Sequence, residues 1–357
     1  MTEPGEGENM SEAVKMRAVV KEHAGRDGLV MKEVPVPVCG PEDILIKVEY
    51  VGICGTDLHI QDDEYPVYMP VVIGHEFSGR VAAKGSMVTD FSIGDRVVSM
   101  TCSESCGRCD YCRQGLSMFC PEKRGLGSGH DGAFAEYMCT KASLVLPVPD
   151  NMTMQEAALS EPLASVVRAV TETAKLTLGD RVFVSGSGMM GQLTAQLCFF
   201  AGADVTIAGL PSDRERLRQI QSICPGIHTV EIGTENLPEK AAALTKGDMY
   251  DVVFECTGIR ESGENCIEVC KRKGQLIQLG LYGTRVALDM DKALFRELLI
   301  KPTFSAAYST WKRMFIILAM GKVDLKPYIG KIYAFDEWEA AFERARQKLD
   351  YKVLIRI

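Results

Sequence analysis

The chain has 357 residues, 46% of them hydrophobic and 25% charged, with a formal net charge of -8. That length allows two domains with a core that needs no covalent staples, and the acidic balance argues against a nucleic-acid polyanion as partner. No apolar run approaches the roughly 20 residues of a membrane helix, and the start "MTEPGEGENMSEAVK" lacks the basic and apolar regions of a signal peptide. A cytoplasmic protein with no membrane partner is expected, with residues 1–15 as a disordered tail.

Up to about residue 160 the chain is rich in short β-type runs: "DILIKVEYVGI", "GRVAAKG", "GDRVVSM" and "GAFAEYM". They end at Gly and Asp turns and predict an all-β domain with loops. One loop reads "CGRCDYCRQGLSMFC", placing Cys106, Cys109, Cys112 and Cys120 at C-x2-C-x2-C-x7-C spacing. The chain has 13 cysteines. In a reducing cytosol they rarely pair, and most are expected to be small buried apolar residues. The close-set tetrad is different. It suits a tetrahedral zinc with thiolates at about 2.3 Å, an iron–sulfur cluster being the rival. Cys102 falls outside the spacing.

Near residue 160 the pattern changes. "MTMQEAALSEPLASVVRAVTETA" has helical spacing of Ala, Leu and Val. Arg181–Ser185 then reads as a buried strand, Met190, Leu193, Leu197 and Phe200 as one face of a helix, and Asp204–Ala208 as a second strand. A βαβ unit of about 30 residues implies a parallel sheet. Further strands are expected in "YDVVFECTG" and "GQLIQLGL". From about residue 300 helix and strand mix, ending in "KVLIRI".

The turn after the first of these strands is Gly186-Ser-Gly188-Met189-Met190-Gly191, a G-x-G-x-x-G between strand and helix. The first glycine permits the turn, the second lets a pyrophosphate approach, and the third packs helix on strand. The helix N-terminus then faces the phosphates. NAD-binding versions usually end the second strand in Asp or Glu, but here that place is Gly209. Ser212, Arg214 and Arg216 follow and could hold a 2′-phosphate, unless the arginines form a solvated helix face. Asp213 could instead reach the ribose. NADP is slightly favoured over NAD.

A second constellation lies earlier: Cys54, Thr56, Asp57 and His59 in "GICGTDLH", His75 and Glu76 in "GHEFSGRV", and Glu161 in "SEPLA". One thiolate, one imidazole and one or two carboxylates make an open zinc site. With "CGRCDYCRQGLSMFC", "DGAFAEY" and "GSGMMG", in that order, these motifs resemble the zinc-dependent medium-chain dehydrogenase/reductase family, within its alcohol, sorbitol and threonine dehydrogenase group. The resemblance runs from about residue 16 to the end.

It implies an α/β protein: a GroES-like catalytic domain (16–163 and 299–357) interrupted by a Rossmann domain with a doubly wound parallel sheet (164–298). It implies two zinc ions per chain. Cys54 and His75 match ligands of the catalytic ion, with Glu76 or Glu161 as the carboxylate. The tetrad matches the structural zinc lobe. Thr56 and His59 match a proton path to solvent, and Asp57 would accept the free N–H of His75. The expected reaction interconverts a secondary alcohol, such as a polyol, sugar alcohol or related polyhydroxy compound, and a ketone. A threonine-type amino-alcohol dehydrogenase is the alternative, and a non-catalytic zinc-supported binding module a remote one. A small-molecule alcohol or ketone is the expected partner, with the chain itself a homo-oligomer, dimer or tetramer.

Overall fold

The computed structural model describes residues 14–357. Most of the tail expected at 1–15 lies outside the described residues, and Lys15 already opens the strand Lys15–Lys21. The β-rich part is organised on Asp43–Gly52, which pairs antiparallel with Glu76–Lys84, Tyr137–Lys141 and Lys352–Arg356. The period-2 pattern of "DILIKVEYVG" explains its central place. Ile44, Ile46 and Val48 point to one side and are buried, packing with Phe77, Phe134 and Phe342. The pairing of Lys352–Arg356, with Ile329–Ala334 parallel beside it, returns the end of the chain to this sheet.

The second layer system is a six-stranded parallel sheet. Its order is His228–Glu231, Asp204–Gly209, Arg181–Ser185, Tyr250–Glu255, Cys270–Gln278 and Leu299–Pro302. The order reverses between Arg181–Ser185 and Tyr250–Glu255, which opens a crevice at their C-terminal ends, as doubly wound sheets do. Leu299–Pro302 completes this sheet, so the parallel unit runs a few residues past the boundary expected at 298.

Helix Met189–Phe200 differs from the expected one-sided pattern. Gln192, Thr194, Ala195, Gln196 and Cys198 are buried together with Leu193 and Leu197, whereas Phe200 is 40% exposed. The helix is covered on more than one side because the chain's last third packs over it: the Tyr328 hydroxyl accepts from Gln196 and that of Tyr351 from Gln192. Phe200, at the end of the helix, has the Lys322 ammonium 5.4 Å from its ring centre and remains partly open to solvent.

Helix Ser160–Arg168 joins the two parts. An apolar cluster runs from Val98 and Leu146 of the β-rich part through Leu163 and Val167 to Val182 and Val252 of the parallel sheet. Both parts thus share one wall, and the cleft between them, about 870 Å³, lies beside it.

Phe254 is fully buried in a central strand. Phe254→Ala is therefore expected to cost about 3–5 kcal/mol in chemical denaturation. Phe200→Ala, at the exposed helix end, should cost well under half of that, and equal losses would contradict the burial described here.

Candidate active-site cleft

The cleft's inner end is built from two turns. Cys54 precedes helix Gly55–Gln61, and its backbone N–H donates to Asp57 Oδ2 at 2.8 Å. This reach-back is why Asp57 stands three residues after Cys54. Asp57 is fully buried, and its Oδ1 has no hydrogen-bond partner among the described residues but lies 3.7 Å from His75 Nδ1. Gly74 sits at φ +93°, where a Cβ would stand 2.4 Å from the Phe134 ring. Only glycine allows this turn, which leads into His75.

The ligand atoms of Cys54, His75 and Glu76 lie within 4.8 Å of one another. Glu161 is outside that group but lines the same cleft, in the first turn of Ser160–Arg168. Glu76 is 1% exposed, and its Oε2 accepts from Lys352 Nζ at 2.6 Å. Lys352 also donates to the Ile53 carbonyl at 3.2 Å.

The charges here are out of balance. Burial pushes the Asp57 carboxyl up to about 6 and that of Glu161 up to about 7, in both cases against the pull of His75. Burial alone would lower His75, but Cys54, Asp57 and Glu161 hold it well above the ordinary histidine value. Anionic donors in surplus and donor atoms already gathered are what a divalent cation would satisfy. The residues therefore fit a bound zinc.

Thr56 Oγ1 lies 3.7 Å from Cys54 Sγ, and His59 Nδ1 is 2.6 Å from Glu64 Oε2. Both Thr56 and His59 line the cleft. Among the described residues no hydrogen bond joins the two directly, so a proton path between them needs an intervening group that both donates and accepts.

The four thiols of Cys106, Cys109, Cys112 and Cys120 also lie within 4.8 Å of one another. The backbone N–H groups of Cys109 and Cys106 reach Cys106 Sγ and Cys120 Sγ, each at 3.3 Å. Donors from the Arg108 and Cys109 backbone bring the Cys106 thiol down to about 6, toward the thiolate a metal needs.

The three glycines of the loop differ in their surroundings. Gly186 has φ +110°. A Cβ on Gly191 would stand 1.8 Å from the Gly186 carbonyl oxygen, whereas one on Gly188 would meet nothing within 4 Å. Gly188 thus leaves open space at the N-terminus of a 12-residue helix, and it lines the cleft with Met189 and Met190. Opposite stands the turn after Tyr250–Glu255. Glu255 is buried and accepts from the Thr257 N–H at 2.8 Å, the Thr257 hydroxyl at 2.6 Å and the Ser262 hydroxyl at 2.7 Å. It holds Cys256 and Thr257 at the edge of the cleft.

At the end of the second parallel strand, a Cβ on Gly209 would lie 2.8 Å from Ser187 Oγ. The loop itself fills the place where a carboxylate would stem. Arg216 lines the cleft, held by Asp213 at 3.2 Å and by the Lys348 carbonyl at 2.6 Å, with its guanidinium 5.1 Å from the Tyr351 ring centre. Arg214 does not share this position. It makes a bidentate pair with Glu231 on the neighbouring strand, at 2.8 and 2.7 Å. Ser212 is exposed, and Asp213 is committed to the Leu210 N–H at 3.0 Å as well as to Arg216.

Sequence reasoning missed Lys352, Glu64 and Glu255. Alternation gave no signal for Lys352, because its strand is buried on both faces from Lys352 to Ile355.

Two family models match this chain, the alcohol dehydrogenase GroES-like domain over residues 40–150 and the zinc-binding dehydrogenase over 190–319. A sorbitol dehydrogenase of Halalkalibacterium halodurans is 34% identical over 95% of this chain and 99% of its own length. The chain belongs to the zinc-dependent medium-chain dehydrogenase family. As a member it is a zinc-dependent oxidoreductase acting on CH–OH groups. The D-arabitol-phosphate dehydrogenase of Enterococcus avium is 32% identical over 95% of this chain and 97% of its own. Among solved structures, one described as a zinc-binding dehydrogenase from Sinorhizobium meliloti 1021 bound to NADP has a TM-score of 0.86 and 30% identity, covering 96% of this chain and all of that one.

Two outcomes are expected for this dehydrogenase. Cys109→Ser should lower thermal stability and release about one zinc per chain in metal analysis, because binding energy at a structural site is largely folding energy; an unchanged zinc content would contradict this. In the zinc-free protein, Lys352→Met leaves Glu76 buried without a cation and should cost about 3–5 kcal/mol. The double variant with Glu76→Leu should recover part of that loss in the same denaturation series.

Proposed function

We propose that this dehydrogenase interconverts a secondary alcohol of a polyol, sugar alcohol or related polyhydroxy compound and the matching ketone, with NADP preferred over NAD. The observation that carries this is one cavity with the gathered donors of Cys54, His75 and Glu76 at its inner end and the open face of Gly188 on its wall. The name and similarity of the sorbitol and arabitol-phosphate relatives support the polyhydroxy class. Among the described residues no helix is long and apolar enough to cross a membrane, and a cytoplasmic enzyme is the accompanying proposal.

In this reading Cys54, His75 and Glu76 hold the catalytic zinc, and Glu161 stands ready as a further carboxylate. When bound, the metal lowers the pKa of the substrate hydroxyl, and the nicotinamide accepts the hydride. Asp57 accepts the N–H of His75 and fixes which ring nitrogen faces inward. The Thr56 hydroxyl takes up the substrate proton, and His59, steadied by Glu64, passes it to solvent. The N-terminal amides of Met189–Phe200 bind the pyrophosphate. Cys106, Cys109, Cys112 and Cys120 hold a second zinc that shapes the lobe around them.

The NADP preference rests on the missing carboxylate at Gly209, on Arg216 at the cleft and on the NADP-bound relative. Arg214 is the weaker candidate because Glu231 already occupies it. The open edge strand Leu299–Pro302, with Leu299 and Ile300 exposed, supports association with a second copy.

Absorbance assays with a panel of polyols, inositols and amino alcohols and both cofactors test the reading. Turnover of amino alcohols alone would replace it with the threonine-type alternative. His75→Ala and Cys54→Ser should each lower kcat by far more than tenfold, the equivalent of about 1.4 kcal/mol, while cofactor binding persists; retention of a tenth of the activity would refute the metal assignment. Arg216→Ala should lower kcat/KM for NADP more than for NAD, and Arg214→Ala should do so less. A wild-type preference for NAD would overturn the cofactor assignment.

A further inference from the structure

We propose that the cleft contains an anion subsite built on Lys123, which takes a phosphate or carboxylate at the end of a polyhydroxy substrate. This rests on the polyol reading above and narrows it to substrates that carry a charged terminus.

Lys123 follows the cysteine tetrad, with its N–H bonded to the Cys120 carbonyl at 3.0 Å. Its side chain lines the cleft, and its ammonium stands 4.2 Å from the ring centre of Phe304. No carboxylate pairs with it among the described residues. Glu122 beside it is paired with Arg108 at 3.1 Å, and Glu104 lies 3.8 Å from His130. Behind Phe304 stands a second cation: Arg168 donates to the Phe304 carbonyl. The Arg168 side chain is only 12% exposed, and its nearest carboxylate, Glu172, is 3.8 Å away. Its Nε has no hydrogen-bond partner among the described residues. The wall around Phe304 therefore carries one cation, Lys123, with no carboxylate partner among the described residues, and beside it a second, Arg168, paired with Glu172 at 3.8 Å.

The position is also right for substrate. Glu161, Ser165 and Arg168 share one face of helix Ser160–Arg168, at i, i+4 and i+7. Seven residues of helix span about 10 Å, and Glu161 and Ser165 on this face line the cleft together with Lys123. Ser128, Ser165 and Ser305 line the cleft and offer hydroxyls to a polyhydroxy chain. An ammonium is a compact point charge that suits a phosphate oxygen.

The test compares three ligands of one chain length, a pentitol, its terminal phosphate and the corresponding aldonate. They bind to the zinc-loaded enzyme without oxidised cofactor, so that no turnover occurs. By calorimetry, at least one anionic ligand is expected to bind about tenfold or more tighter than the neutral pentitol. Lys123→Met should shrink that gap to under about threefold, and Lys123→Arg should keep most of it; Lys123→Gln replaces the Met variant if the latter misfolds. Tighter binding of phosphate or of carboxylate identifies the natural terminus. Equal affinity for neutral and anionic ligands, or a gap that survives loss of the lysine, overturns the subsite. Turnover is scored separately with oxidised cofactor. A Lys123-dependent gap without turnover of any of the three sinks the polyol reading and keeps the subsite, and turnover without a gap does the reverse.

Discussion

The buried pair between Glu76 and Lys352 is the contact on which the arrangement of the cleft depends. The two residues are 276 positions apart, and their charged groups meet at 2.6 Å almost out of contact with solvent. Removing two charges from water is expensive, and the pair is tolerable only because each charge answers the other and Lys352 also meets the Ile53 carbonyl. The room for it is made by Gly52, where a Cβ would stand 2.7 Å from Glu76 Oε2 and 3.3 Å from the Lys352 side chain. The strand that leads to Cys54, the strand that starts at Glu76 and the last strand of the chain are locked at one point. The cleft's inner end is complete only when the C-terminus has returned to the first sheet.

Helix Ser160–Arg168 has a comparable role for the cleft as a whole. Its apolar side belongs to the cluster that spans both sheets. Its polar side runs along the cleft from Glu161 past Ser165 toward Arg168. Because close-packed interiors transmit small shifts, a change at Leu163 or Val167 would move the metal end and the cofactor wall together. The glycine loop adds the other half of the geometry. Gly191 brings helix and strand to within backbone contact, and Gly188 leaves the space facing the cleft unfilled.

Much of this was legible in the amino-acid sequence by itself. The cysteine tetrad and the G-x-G-x-x-G turn each encode contacts over a few residues, and short spacing determines which atoms can converge, whereas Cys54 and His75 meet through the pairing of Gly52 with Glu76. Arg181–Ser185 and Asp204–Ala208 were readable because strands of a parallel sheet covered on both faces are rich in buried apolar residues. What tertiary structure alone decided was which charges meet and which surfaces are covered. Arg214 and Arg216 looked equivalent two positions apart, yet a neighbouring strand brings Glu231 to the first while the chain's end brings the Lys348 carbonyl and Tyr351 to the second. Phe200 fits a helical face but, at the end of the helix, remains partly open to solvent. The partner of Glu76 comes from the opposite end of the chain. Ion pairs and burial depend on three-dimensional neighbours, and no local period or spacing records who those neighbours are.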